Sequence, residues 1–275
     1  MYRLDIEKIK TNKDVFRRTF GVNRESLIDL VNSVDFGRYR VGRKSKLDKE
    51  FVLLMCLYYL KNYCSFEKVG FIFGMSTSYA WKIVKRTLVK LYKCKSLELD
   101  GVDGFGVDSK LIIDGTDVET EKPGYDCVYP LDYYGRKGFY AVKGQVVIDY
   151  FSKRVVSVFT GEGSAHDFEL FKRSGLELDP KCEVYVDLGY VGIKNYHVNS
   201  YHPVKGYKGY IKGYDDCMES KRISKVRVYV EHVIGKLKFF NILGGRVRHM
   251  KYLDIWFDCI LKVVAGLYNL NLKYS

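Results

Sequence analysis

The first third of the chain places apolar residues three or four positions apart, the spacing of a buried helix face. In NRESLIDLVNSV, Asn23 stands where an N-cap is expected, and Leu27, Leu30, Val31 and Val34 follow on one face. The run DKEFVLLMCLYYLKNYC continues the same period. The pattern predicts an all-α domain over residues 1–96.

Within this domain, residues 66–92 have the pattern of two helices joined by a tight turn. A short helix from about Phe66 to Phe73 is predicted to end at Gly74, and Ser76 or Ser78 can cap the next helix. This arrangement is typical of a helix-turn-helix, whose second helix reads DNA, although an ordinary helical hairpin with solvated lysines fits equally well. The predicted groove-facing residues are Ser78, Tyr79, Lys82 and Arg86.

The pattern changes after a Gly- and Asp-rich segment, residues 97–109, which we interpret as a linker. Apolar runs typical of strands then alternate with helical segments. The predicted strands are KLIID (110–114), FYAVKGQVVIDY (139–150), KRVVSVFTG (153–161) and CEVYVDLGY (182–190), and the last two helices cover roughly 218–240 and 251–270. Residues 110–275 are therefore predicted to form an α/β domain with a mixed sheet.

Composition narrows the class of protein. The net charge is +13, from 46 basic and 33 acidic residues, and such a field favours polyanions, most commonly nucleic acid. The seven cysteines are scattered and never form C-x-x-C, which argues against a disulfide framework and a zinc ribbon. No run of about 18 apolar residues exists, so we expect no membrane span. The scattered cysteines are interpreted as reduced thiols of a cytoplasmic protein.

Two acids follow apolar runs in the second domain. Asp114 ends KLIID and Asp187 ends CEVYVD. Ligands bind at this end of strands in α/β sheets, although D-G and D-L-G can simply make turns. Asp117 competes with Asp114, which we prefer because it ends the apolar run.

A third acid lies on the helix RVYVEHVIGKLKFF. At 100° per residue, Glu231 falls at the edge of the buried stripe, in one row with Arg227 and Lys238. An ordinary ion pair of Arg227 with Glu231 explains the spacing but not the position beside the stripe.

Three carboxylates in a basic chain suggest bound cations, because bare acids would repel phosphates. Mg²⁺ or Mn²⁺ takes oxygen ligands, and two such ions can activate a hydroxyl and stabilise a leaving oxygen. No Cys/His set supports zinc, and no nucleophile elbow supports a covalent mechanism.

These motifs, in this order, resemble the DDE transposases of bacterial insertion sequences, a group related to the PIF/Harbinger superfamily. The matching segments are FGVNRESLIDLV, the helix-turn-helix region, LIIDGTDVETEKP, YYGRKGFYAVKGQVVID, TGEGSAHDFELF, VDLGYVGI, RVYVEHVIGKLK and AGLYNLNL. The resemblance places the acidic triad at Asp114, Asp187 and Glu231. One departure is Ser224, where some relatives have Tyr.

The resemblance implies a ribonuclease-H-like catalytic domain behind a helix-turn-helix domain. It implies DNA cleavage at element ends and transfer of the freed 3′-hydroxyl to target DNA, with two Mg²⁺ or Mn²⁺ ions. The implied partners are terminal inverted repeats, target DNA and a second copy of the chain at synapsis, near the bacterial nucleoid, with no small-molecule substrate. The alternatives are a domesticated DNA-binding protein and an endonuclease without strand transfer.

Other residues extend the predicted site. Arg227 and Lys238 are expected to contact phosphates, and His166 is predicted to lie next to the site. The run KGYKGYIKG (205–213) could stack tyrosines along DNA, although a solvated loop is the commoner explanation.

Overall fold

The computed structural model describes most of the 275-residue chain. The described residues are 5–37, 47–122, 133–134, 138–206, 213–248 and 253–274. The helices and strands are named below in chain order.

The N-terminal part is helical, as predicted. Its helices are α1 (Ile6–Thr11), α2 (Lys13–Phe20), α3 (Arg24–Ser33), α4 (Lys49–Asn62), α5 (Phe66–Phe73) and α6 (Thr77–Tyr92). The central helix α4 buries a continuous run from Leu53 to Lys61. A helix that is apolar on every side has to lie inside a bundle, which explains why the others pack around it.

Helices α5 and α6 form the predicted helix-turn-helix. Gly74 ends α5 with φ +72°, a left-handed conformation that glycine adopts without strain. The Ser76 side chain caps α6 by accepting a hydrogen bond from the Tyr79 N–H at 3.4 Å. The turn lies close to α5, because a Cβ added at Gly70 would be 2.6 Å from the Met75 carbonyl oxygen.

The second half is built on a mixed sheet. Its strands are β1 (Lys110–Thr120), β2 (Tyr133–Tyr134), β3 (Phe139–Asp149), β4 (Val155–Glu162), β5 (Glu183–Tyr185) and β6 (Ser200–Tyr201). The order is β2-β3-β1-β5-β6, and β4 also pairs with β3. The β1–β3–β4 part is antiparallel, whereas β5 and β6 are parallel to β1. This is a ribonuclease-H-like arrangement, so the predicted fold class is confirmed.

The strand predicted over residues 110–114 is longer than expected. It continues to Thr120, because every residue from Leu111 to Thr120 pairs antiparallel with β3. Asp114 therefore lies in the middle of β1, and only the parallel pairing with β5 ends near it.

Four further helices complete the described chain. They are α7 (Asp167–Arg173), α8 (Tyr214–Leu237), α9 (Asn241–Gly244) and α10 (Leu253–Lys273). The last long helices thus begin and end within a few residues of the predicted bounds. No helix in the described ranges is long and apolar enough to cross a membrane.

The chain divides into two compact units. The first contains Met1–Glu98, Leu237–Gly245 and Cys259–Ser275, and the second contains Leu99–Lys236 and Arg246–Asp258. The change near Leu99 falls inside the predicted linker, which stays a prediction. Residues 237–245 and 259–275, which we grouped with the sheet, pack instead with the N-terminal helices.

Asn271 shows why the larger, C-terminal part of α10 belongs to the first unit. Its Oδ1 accepts hydrogen bonds from the Asn23 N–H and the Ser26 hydroxyl, both at 2.9 Å, and its Nδ2 donates to the Gly21 carbonyl. These bonds satisfy buried polar groups that would otherwise destabilise the bundle.

The close approach at Gly70 generates a prediction. Gly70→Ala should lower the free energy of unfolding by about 1–3 kcal/mol, because the new methyl group overlaps the Met75 carbonyl. Urea denaturation followed by circular dichroism would measure the change. Gly235→Ala in α8 is the matched control, since nothing lies within 4 Å of its added Cβ and alanine favours a helix. A Gly70→Ala protein as stable as wild type would contradict the tight turn.

Candidate active site

Asp114 is a mostly buried acid in the middle of β1. Its side chain is 14% exposed and shares a face of β1 with Ile112 and Thr116. The carboxylate Oδ1 accepts a hydrogen bond from the Gly115 N–H at 2.9 Å. Asp117, three residues along the strand, points to the opposite face, so its side chain does not share the surroundings of Asp114.

Asp187 lies beside Asp114 because of the parallel strand pairing. Ile112 is in register with Tyr185, and continuing that register by two residues places Asp187 level with Asp114. The backbone of Asp187 is still extended, and its Oδ1 accepts from the Gly189 N–H at 2.7 Å. Each aspartate is thus held by the amide of a nearby glycine.

Helix α8 carries the third acid, Glu231, and also Arg227, whose guanidinium lies close to both Glu231 and Asp114. Arg227 Nη2 lies 3.3 Å from Asp114 Oδ2 and 3.9 Å from Glu231 Oε1, one helical turn further on. The guanidinium is 16% exposed, whereas the Glu231 side chain is 57% exposed. Glu231 therefore reaches solvent at the rim, and Arg227 is the buried counter-ion of Asp114.

The electrostatics of Asp114 reflect these close neighbours. Burial is the largest cause that raises the pKa of Asp114 to about 6, and the nearby carboxylates of Asp187 and Glu231 contribute to the same rise. The Arg227 guanidinium and the Gly115 N–H oppose this rise in pKa. An acid crowded by two others is a site that a divalent cation would stabilise.

The donor set fits a hard cation in kind. All three acids offer carboxylate oxygens, the ligands that Mg²⁺ and Mn²⁺ prefer. Across the described ranges, however, no three acidic, histidine or cysteine side chains are arranged to hold one ion. Arg227 lies where the acids converge, so loading a cation would require this guanidinium or Glu231 to move.

The opposite face of the sheet carries a polar cluster that the sequence pattern did not predict. Lys143, on β3, is buried, and its Nζ contacts Asp167 Oδ1 at 3.0 Å. Asp167 is the first residue of α7, and no side chain caps this helix. The available signal was a lysine inside the strand run AVKGQVVI, where the inward alternation favours apolar residues.

Two further residues of the predicted site lie at helix ends. His166 is exposed at the N-cap of α7, next to Asp167. Lys238 follows the last residue of α8, is half-buried and belongs to the first unit. Their roles stay predictions, as does the role of segment 205–213, of which residues 207–212 lie outside the described ones.

Helix α6 presents the predicted DNA-reading face. The side chains of Ser78, Tyr79, Lys82 and Arg86 are all exposed, while the helix buries its opposite face. Trp81 was not among the predicted residues, yet it is 43% exposed with the Lys85 ammonium 4.8 Å from its ring centroid. Its position at the start of the helix was the available signal.

A ribonuclease-H-like sheet with clustered carboxylates, on a chain that also carries a helix-turn-helix, defines a nuclease that acts on DNA. The chain belongs to the DDE superfamily endonucleases, whose family model matches residues 113–269, more than half of its length. A second model, the helix-turn-helix of the same superfamily, matches residues 45–96. A probable transposase for insertion sequence element IS702 from Microchaete diplosiphon is 29% identical over 98% of this chain and 99% of its own.

The burial of Asp114 has a consequence for stability. Because its folded pKa of about 6 lies above the ordinary value of 3.8, this residue's contribution to stability is lost as pH rises from about 4 to about 6. We expect the stability difference between Asp114→Asn and wild type to shift by about 3 kcal/mol in favour of the variant between pH 3.5 and pH 7. Urea denaturation in EDTA would measure it.

Asp103→Asn serves as the control for this titration, because Asp103 is exposed in a turn of the same unit. Its stability difference from wild type should change little over this range. If the stability of Asp114→Asn also changes with pH in parallel with wild type, burial does not raise the pKa of Asp114 in the folded protein.

Proposed function

We propose that this protein is a DNA transposase that cleaves the ends of its element and joins the freed 3′-hydroxyl to target DNA. The observation that carries the proposal is the convergence of Asp187, Arg227 and Glu231 on Asp114 in one unit of the chain. The relative named as a probable transposase, which matches nearly end to end, supports strand transfer over nicking alone.

In this proposal, Asp114, Asp187 and Glu231 hold the divalent cations, Mg²⁺ or Mn²⁺ and two in number. When bound, such ions activate the attacking water or hydroxyl and stabilise the leaving oxygen of the phosphodiester. Asp114 is mostly buried, whereas Glu231 is exposed to solvent, and we propose that DNA enters from the side of Glu231.

Arg227 has a defined place in this chemistry. Because it is mostly buried and faces two carboxylates, any phosphate it contacts has to enter the site itself. A guanidinium there offsets the charge of Asp114 before DNA arrives and offers donors to the phosphate afterwards. Lys238 is proposed to bind phosphate outside the site.

The helix-turn-helix is proposed to bind the terminal inverted repeats. Exposed Lys82 and Arg86 on α6 would contact DNA in the major groove, and Ser78, Tyr79 and Trp81 lie on the same exposed surface. Two copies of the chain are proposed to meet at synapsis, because two ends have to be brought together.

One reaction tests the proposal. Labelled element ends, with sequences taken from short inverted repeats flanking the gene, are incubated with the protein, a target plasmid and Mg²⁺ or Mn²⁺. We expect joined product. Nicking without joining would indicate an endonuclease, and a mobility shift without cleavage would indicate a DNA-binding protein.

Asp187→Asn should abolish cleavage of the same ends. Residues that only support metal ligands cost about tenfold to a hundredfold when changed, so loss of a ligand should reduce the rate by more than about a hundredfold. A gel assay of end cleavage measures the rate, with Asp103→Asn expected to match wild type. Undiminished cleavage by a folded Asp187→Asn protein would contradict the proposal that Asp187 is a metal ligand.

Lys82→Ala and Arg86→Ala should weaken DNA binding, because each removes a cation that can bind a phosphate or a base. A plot of log affinity against log salt concentration has a negative slope. For each phosphate that the variant no longer neutralises, this slope should become less steep by about one. Fluorescence anisotropy across a salt series measures this slope. Lys95→Ala, an exposed lysine outside α6, should keep the wild-type slope. A double variant with unchanged slope and footprint would contradict the DNA-reading role of α6.

A further inference from the structure

Lys143 places a positive charge inside the sheet. Its side chain is only 6% exposed in the middle of β3. The ammonium donates to the Ala165 carbonyl at 2.6 Å and pairs with Asp167 Oδ1 at 3.0 Å. A buried lysine is costly unless it is paired, so Lys143 and Asp167 hold one another in a defined place.

The Asp167 carboxylate is wedged against two glycine backbones. A Cβ added at Gly115 would lie 2.8 Å from Asp167 Oδ1, and a Cβ added at Gly189 would overlap Asp167 Oδ2. Neither position has room for a side chain, because the carboxylate of Asp167 fills the space.

The same two glycines hold the two aspartates of the candidate site. The Gly115 N–H donates to Asp114 Oδ1 at 2.9 Å, and the Gly189 N–H donates to Asp187 Oδ1 at 2.7 Å. Asp167 thus contacts both backbone elements whose amides orient the acids. Tyr190 also lies near all three aspartates: burial, followed by the carboxylates of Asp167, Asp114 and Asp187, raises its pKa well above the usual range.

We propose that Asp167, anchored by Lys143, is a positioning residue that sets the spacing of Asp114 and Asp187 by packing against Gly115 and Gly189. The inference rests on the proposed function, in which these two acids hold a cation. It adds the ion pair of buried Lys143 with partly exposed Asp167, on the face of the sheet opposite Asp114, as the contact that fixes the geometry of the acids.

The alternating faces of the strand favour positioning over direct ligation. Gly115 and Lys143 belong to the face that carries α7, whereas the Asp114 side chain points to the face that carries Arg227. Asp167 acts on Asp114 and Asp187 indirectly, by packing against the backbone of Gly115 and Gly189. The shape of its side chain should therefore matter more than its charge.

Two paired variants separate shape from charge. Lys143→Gln/Asp167→Asn is neutral and keeps the wedge, whereas Lys143→Gln/Asp167→Ala is neutral and removes it. Mn²⁺ binding to the full-length metal-free protein is measured by isothermal titration calorimetry. Folding is checked by circular dichroism and thermal unfolding.

We expect the Asn pair to bind Mn²⁺ within about threefold of wild type and the Ala pair to bind about tenfold to a hundredfold more weakly. Equal affinities in the two pairs overturn the inference: if both stay at the wild-type value, Asp167 has no role, and if both fall, its charge rather than its shape matters. Glu162→Gln, which breaks the exposed Glu162–Arg173 pair in the same unit, should leave the affinity unchanged.

If Lys143→Gln/Asp167→Ala does not fold, Gly115→Ala provides a second test of the positioning role. It retains both charges but pushes against the Asp167 carboxylate, so Mn²⁺ affinity should fall about tenfold. Wild-type affinity in this folded variant would overturn the inference.

Asp187→Asn separates the positioning role from the proposed function. If this variant keeps wild-type Mn²⁺ affinity, the proposed metal site is wrong and the inference falls with it. If it loses Mn²⁺ while the two paired variants bind equally, only the positioning role is wrong.

Discussion

The parallel pairing of β1 with β5 decides where the chemistry of this protein can take place. Three residue pairs, from Lys110 with Glu183 to Ile112 with Tyr185, set the register that brings Asp187 level with Asp114. A slip of one residue would turn one of the two acids to the other face. The apolar residues on both strands prevent that slip, since Leu111, Ile113, Val184 and Val186 pack in one buried cluster.

The charged residues around β1 compensate for placing Asp114 and Asp187 side by side. An acid as buried as Asp114 is unfavourable in its ionised form, and its neighbours Asp187 and Glu231 make it more so. Arg227 on one face of the sheet offsets part of that cost, while the pair of buried Lys143 with Asp167 supports the backbone from the other face. The net charge of +13 can attract DNA, and the site keeps its acids because cations would neutralise them.

The sequence predicted those features that depend on local pattern. Helical spacing and Gly74 located the two helices of the helix-turn-helix, and apolar runs located β3 and β4 within two residues. The angular position of Glu231 beside the buried stripe was also readable, because a helix has a fixed period. Gly115, by contrast, looked like the end of a strand, and only its pairing with β3 shows that β1 continues.

What the sequence could not show depends on contacts between distant segments. Asp167 lies 24 residues after Lys143 in an apparently ordinary helix start, and nothing local indicates that its carboxylate packs against Gly115 and Gly189. Likewise, the last helix carries no sign that Asn271 binds the turn before α3 rather than the sheet domain.

We propose that Asp114, Asp187 and Glu231 surround a common cation, and iron-mediated cleavage tests this directly. Fe²⁺ substituted into the site, with ascorbate and peroxide, generates hydroxyl radicals that cleave nearby backbone, and mass spectrometry maps the cuts. We expect cuts next to all three residues, and excess Mg²⁺ should suppress them. Cuts that omit these positions, or that Mg²⁺ leaves unchanged, would contradict it.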